Sequence, residues 1–85
     1  MANYEVVIKP SAVKELESVR LNDRRRIAIK IMALANNPRP PGCEKLSGLE
    51  RYRFRQGNDR VIYEIEDARL IVVAVKVGHR RDVYR

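Results

Sequence analysis

The chain reads as an α+β domain in which a mainly antiparallel sheet packs against a two-helix hairpin, in the order β-α-α-β-β-β. Three observations predict this. Apolar residues at helical spacing are confined to the stretch 11–35, period-two alternation appears only over 51–66, and Gly57-Asn58-Asp59 joins two alternating runs with hairpin residues. With 85 residues the chain has room for one domain, 1–85, burying roughly 60 to 65% of its unfolded surface.

The first strand is Tyr4 to Lys9, where Val6, Val7 and Ile8 form a β-branched run that Pro10 closes. Ser11 is then placed to cap a helix that turns Val13, Leu16 and Val19 toward the core. The break at Leu21 to Asp23 offers a second cap at Asn22 or Asp23. Ile27, Ile31, Leu34 and Ala35 recur at i, i+4, i+7 and i+8, one helical stripe, while Arg24, Arg25, Arg26 and Lys30 lie mostly off it. Asn36, Asn37, Pro38, Pro40, Pro41 and Gly42 stop this helix, and a loop follows to about Gly48.

Two alternating strands come next, 51–55 and 60–66. If Tyr52 and Phe54 face the core, Val61, Tyr63 and Ile65 face it as well. The last strand, Leu70 to Val77, is apolar at nearly every position except Lys76, which predicts a place in the sheet interior with both faces covered. No internal repeat or second domain boundary is seen.

The formal net charge of +7 favours a nucleic acid, an acidic protein or an anionic membrane surface as partner. Membrane is the least favoured, because no apolar run approaches the ~20 residues of a spanning helix. The N-terminus also lacks the pattern of a signal segment, so a soluble, cytoplasmic protein is expected. Cys43 is the single cysteine and His79 the single histidine, so neither an internal disulfide nor a zinc site is expected, and Cys43 reads as incidental. With no glycine-rich phosphate loop, paired-carboxylate signature or serine triad, no metal or cofactor is expected and any chemistry falls to Arg, His, Tyr and Lys.

Arginine dominates that set at the hairpin. Arg51, Arg53 and Arg55 alternate with Tyr52 and Phe54, and alternation puts Arg60 on the same outer, solvated face as Arg53 and Arg55. Arg80 follows in the run Gly78-His79-Arg80-Arg81-Asp82-Val83-Tyr84-Arg85. Permanently charged, planar donor forks gathered in this way call for an anion, phosphate above all.

Over essentially its whole length the chain resembles the RelE branch of the RelE/ParE toxins of bacterial type II toxin-antitoxin modules. The resemblance rests on Lys45-Leu46-Ser47-Gly48, Tyr52-Arg53-Phe54-Arg55, Asp59-Arg60-Val61-Ile62-Tyr63 and the ending Val77 to Arg85. It implies a ribosome-dependent endoribonuclease that cuts messenger RNA in the ribosomal A site, partnered by an antitoxin that holds it inactive. Cleavage would be metal-free, by attack of the substrate's 2′-hydroxyl on the adjacent phosphate. The family's basic strand maps onto Arg53 and Arg55, its phosphate-binding arginine onto Arg60, its second active-site arginine onto Arg80 and its C-terminal tyrosine onto Tyr84. With His79 added on its own chemistry, Arg60, His79, Arg80 and Tyr84 are the catalytic candidates, and Lys45, Arg51, Arg53, Arg55 and Arg81 are the expected RNA-binding residues.

In-line attack builds negative charge on the phosphate, a demand that Arg60 and Arg80 suit. The proton acceptor is another matter, since some relatives carry lysines where this chain has Arg53 and Arg55, and arginine stays protonated. His79 is the best candidate by its ordinary pKa of ~6.5, set against a plain capping or surface role. Tyr84 either stacks on a base, transfers a proton or packs the tail onto the sheet. Two other functions compete: a ParE-like gyrase inhibitor without nuclease activity, and a non-catalytic RNA-binding module. An acidic, partly helical antitoxin suits a +7 domain with apolar grooves.

Overall fold

A computed structural model of the chain describes residues 3–46 and 50–79. Its elements are β1 (Glu5–Ile8), α1 (Pro10–Glu17), α2 (Leu21–Ala33), β2 (Glu44–Lys45), β3 (Arg51–Gln56), β4 (Asp59–Glu66) and β5 (Ile71–His79), with a 3-10 turn at Asp67–Arg69. The strands form one sheet in the order β1-β5-β4-β3-β2. Every neighbouring pair is antiparallel except β1 and β5, which run parallel from Glu5 opposite Ile71 to Ile8 opposite Ala74. The α+β class and the mainly antiparallel sheet match the sequence reading. The two-residue strand β2 adds a fifth strand inside the stretch expected to be loop.

Both helices begin one step earlier than their expected caps. Pro10, with φ fixed near the helical value and no N–H to leave unpaired, opens α1 behind Lys9, so Ser11 falls inside the first turn. Arg20, extended at ψ 143°, precedes α2, and Asn22 and Asp23 lie within its first turn. There the Asp23 carboxylate meets the positive end of the helix dipole. The turn between the helices is tied by Arg24, whose Nη2 donates to the carbonyls of Glu17 at 2.9 Å and Val19 at 3.0 Å.

The core lies between this helix pair and one face of the sheet. Ile27, Ile31 and Leu34 are buried as the stripe requires, while Ala35 is only partly so. In α1 the inward residue is Ala12, with Leu16 partly buried; Val19, also partly buried, falls in the turn after the helix, and Val13 stays 39% exposed. An eight-residue helix makes barely two turns, and the small Ala12 takes the close approach that Val13 was expected to make. From the sheet come Tyr52, Phe54, Val61, Tyr63, Ile65, Val72, Ala74 and Val77, all buried, so the inward assignment of the hairpin holds.

β5 lies inside the sheet, as its apolar composition predicts, but only one of its faces is closed. Val72, Ala74 and Val77 are buried, whereas Ile71, Val73, Val75 and Lys76 are half-buried. The odd step from Ala74 to Val77 has a cause in the register. Ile62 faces Lys76 and the next residue, Tyr63, faces Ala74, so Val75 is an extra residue, a bulge. Without it strict alternation would drive Lys76 into the core in place of Val77. A composition that is apolar throughout hides this change of period.

The hairpin joining β3 to β4 closes on two residues, with Gln56 opposite Asp59 and Gly57 at φ 61°. Glycine alone reaches that φ without steric cost, and the positive value at the first turn position belongs to the hairpin turns that match strand twist.

Candidate nucleic-acid interface

The basic residues lie on the sheet face away from the helices. With Tyr52 and Phe54 turned to the core, Arg51, Arg53 and Arg55 take the outer face of β3, and the register sets Arg60 directly opposite Arg55. The hairpin therefore gathers Arg53, Arg55 and Arg60 as alternation requires. Their surroundings differ from the open, solvated face expected. Arg53 and Arg60 are each only 8% exposed, against a more open Arg51 and Arg55. Arg53 lies between Glu44 on β2 and Ile62 on β4, its partners in the two adjoining ladders.

Carboxylates are threaded through this row. Arg51 Nε donates to Glu64 Oε2 at 2.8 Å, Arg53 Nη2 donates to Glu44 Oε2, and the other Glu44 oxygen lies 3.9 Å from Arg55 Nη2. Glu44 is the residue that sequence reasoning missed. It stands in a stretch dominated by prolines and glycine, and a strand of two residues is too short to show a period. Lys45, next to it on the edge strand, points its Nζ at Glu50 from 3.5 Å. Lys30 approaches from α2, donating to the Arg55 carbonyl at 3.0 Å and standing 5.8 Å over the Phe54 ring.

A polar cluster centred on Arg39 and Asp67 lies near the start of the loop that leads to β2. Arg39 donates from Nη1 and Nη2 to the two oxygens of Asp67, at 3.2 and 2.9 Å, and from Nε to the Tyr52 hydroxyl at 3.1 Å. Tyr4 donates to the same carboxylate at 2.7 Å. These hydrogen bonds, from Arg39 first and Tyr4 second, hold the Asp67 carboxyl down at about 2. Nearby, the buried Tyr63 hydroxyl donates to the Pro38 carbonyl at 2.8 Å, and burial followed by hydrogen bonding with Cys43 pushes its pKa up. Cys43, read as incidental, packs against the core.

His79 stands apart from the arginine row. It is the cross-strand partner of Asp59, and Arg60 is the next residue along β4, so alternation turns the two toward opposite faces of the sheet. Of the catalytic candidates, His79 and Arg60 thus stand on opposite faces of the sheet. His79 instead borders a cleft of about 540 Å³ between the helix junction and the hairpin end, whose walls include Glu15, Asp23 and Asp59. Glu15 acts locally in that wall. β1 ends at Ile8, opposite Ala74 of β5, and past that pair the Glu15 carboxylate accepts the Val77 N–H at 3.0 Å.

Burial, and after it the charge of Asp23, push the Asp59 carboxyl up, with His79 opposing. A carboxyl that holds its proton more tightly folded than unfolded adds stability as pH falls through its folded pKa and takes it away as pH rises. Asp59→Asn is therefore expected to stabilise the protein at pH 7, with the gain shrinking toward pH 4. Urea melts across that range check it, and a destabilised variant at pH 7 would count against the assignment.

Arg80, Arg81 and Tyr84 lie outside the described residues, as do Ser47 and Gly48 of the Lys45 motif. Among the described residues the aromatics Tyr52 and Phe54 are core, at 8% and 5% exposure, and offer no platform for base stacking. No described helix is long and apolar enough to cross a membrane.

Comparison with known proteins agrees with this architecture. Residues 6–84 match the sequence profile of the family described as ParE toxin of type II toxin-antitoxin system, parDE. A RelE-like toxin protein of Escherichia coli is 30% identical over 86 residues, covering 95% of this chain and 90% of the relative. Among solved structures, a chain of the archaeal RelE-RelB complex from Pyrococcus horikoshii OT3 superposes with a TM-score of 0.83 at 29% identity, over 98% of this chain and all of that one (100%). A chain of the RelB-RelE antitoxin-toxin complex from Methanococcus jannaschii gives 0.77 at 26% identity, over 92% and 94%.

Proposed function

Because the chain belongs to the RelE/ParE family of type II toxin-antitoxin toxins, on its RelE side, we propose that it is a ribosome-dependent endoribonuclease that cuts messenger RNA in the ribosomal A site. The observation that carries the reading is the convergence of Arg53, Arg55 and Arg60 on one sheet face. Fixed guanidinium forks suit a phosphate that gains negative charge during in-line attack by the neighbouring 2′-hydroxyl. Arg80 and Tyr84 complete the proposed catalytic group, and Arg51, Lys45 and Arg81 extend the RNA-binding surface. The reading predicts new RNA 5′ ends bearing free hydroxyls when the protein is incubated with translating ribosomes, and none on the same RNA alone. Intact messenger under those conditions would overturn it.

Charge stabilisation and orientation are the contributions this reading assigns to the chain's arginines. His79 faces Asp59 and not Arg60. His79→Ala is accordingly expected to keep the single-turnover rate on programmed ribosomes within about threefold of wild type, with an unchanged pH profile. A fall of a hundredfold or more, with loss of the limb that rises through the histidine pKa, would assign the 2′-hydroxyl proton to His79.

We further propose a cognate antitoxin, acidic and partly helical. The relatives from Pyrococcus horikoshii and Methanococcus jannaschii were solved with RelB partners. On this chain Leu21, Ile29 and Met32 form a second, exposed apolar stripe along α2, spaced for a partner helix, on a domain of net charge +7. The ParE name of the matching profile keeps gyrase inhibition as a second reading. A plasmid supercoiling assay with purified gyrase separates the two, since a nuclease of messenger RNA leaves supercoiling untouched.

A further inference from the structure

We propose that Glu44 is a resident anion of the arginine row, which an RNA phosphate must displace, and that it thereby sets how strongly the protein holds RNA that nothing else positions. The inference rests on the reading of Arg53 and Arg55 as phosphate ligands. One carboxylate serves both: Glu44 accepts from Arg53 Nη2, and its second oxygen lies 3.9 Å from Arg55 Nη2. A carboxylate and a phosphate present similar paired oxygens to a guanidinium fork, so Glu44 occupies the position that a phosphate bound between these two arginines would take.

Glu44 is also built to give way. Its side chain is 55% exposed, and it belongs to an outermost strand held by two residue pairs and the Leu46 N–H to Arg51 carbonyl bond at 2.8 Å. Arg53, by contrast, is on β3, paired along its length with β4, and is nearly buried. Moving an edge strand of two residues disturbs little else, whereas the arginine stays where β3 holds it. Among the described residues, Glu64 pairs with Arg51 at the opposite end of the row, and the buried Ile62 separates it from Arg60 along β4. An incoming RNA must therefore exchange one ion pair for another at Arg53 and Arg55. Only a substrate fixed by additional contacts makes that exchange favourable.

Glu44→Gln keeps a hydrogen-bond acceptor for Arg53 while removing the competing charge. Binding of a labelled single-stranded oligoribonucleotide, measured between 50 and 300 mM salt, reads the effect. The variant is expected to bind about five- to tenfold tighter at low salt, and its slope of log K against log salt is expected to steepen by about 0.7 for each phosphate newly neutralised. Glu17→Gln, the same charge change on the exposed side of α1, measures the effect of net charge alone. If Glu44→Gln binds no tighter than Glu17→Gln, or more weakly than wild type, the inference is overturned. Should neither wild type nor variant bind RNA, this inference falls while the ribosome-dependent reading still stands or falls on the cleavage assay with translating ribosomes; equal, salt-dependent binding by both likewise removes this inference alone. Thermal melts are expected to show that the variant is folded, so that a change in binding is not a loss of fold.

Discussion

Tyr63→Ala is expected to unfold the protein. Tyr63 is fully buried, stacks on Tyr52 with ring centroids 5.8 Å apart, meets Phe54 at 6.1 Å and donates its hydroxyl to Pro38. Truncating an aromatic in such a place costs about 3–5 kcal/mol, most of the stability a domain of this size has. The aromatic triad also joins the central strand β4 to β3 and to the loop that leads into β2, so the loss reaches the arginine face from behind. Tyr63→Phe isolates the hydroxyl and is expected to cost about 1–2 kcal/mol, leaving a folded protein. Circular dichroism melts of the two variants check both values, and a folded Tyr63→Ala protein with a near-native melting temperature would contradict the packing described for β4.

The largest expected effect on activity belongs to Arg60. Arg60→Gln should lower ribosome-dependent cleavage by about 10²- to 10³-fold, the loss of one charged transition-state contact worth roughly 3–4 kcal/mol. Because Arg60 is 8% exposed and not on an open surface, the substitution is also expected to lower the melting temperature, unlike a change at a solvated arginine. Arg60→Lys keeps the charge without the planar fork and should fall between the two. A folded Arg60→Gln protein that cleaves at the wild-type rate would remove Arg60 from the proposed site.

Much of this was legible in the sequence. Strict alternation from Arg51 to Glu66 gave the faces of the hairpin, and the spacing of Ile27, Ile31 and Leu34 gave the buried side of α2. Local pattern failed where the deciding contact was distant or the element too short. Alternation assigned Arg53 and Arg60 to a face but not to a depth, because period two carries no information on how far that face is covered, and β2, which pairs with Arg53, has only two residues. Apolar identity favoured Val13 over Ala12, although the tight approach to the sheet suits the smaller side chain. The bulge at Val75 was invisible in a run where nearly every residue is apolar, and with it the face on which β5 ends. His79 therefore lies with Asp59, one step out of phase with Arg60, a separation that its nearness to the arginines in sequence conceals.

The parallel pairing of β1 with β5 has a consequence for how the molecule comes into being. The strand that lies between β1 and β4 is the last of the sheet to leave the ribosome, and Glu5 finds its partner only when Ile71 has been made. A nascent chain that stops short of β5 has a hairpin and two helices but nothing to join β1 to them, and pairing across so long a separation is slow because loop closure precedes any reward. Vectorial synthesis thus delays the native fold until β5 has been made. The arginine face takes its final setting only then, and fragments ending before β5 carry the hairpin's charges without the sheet that positions them.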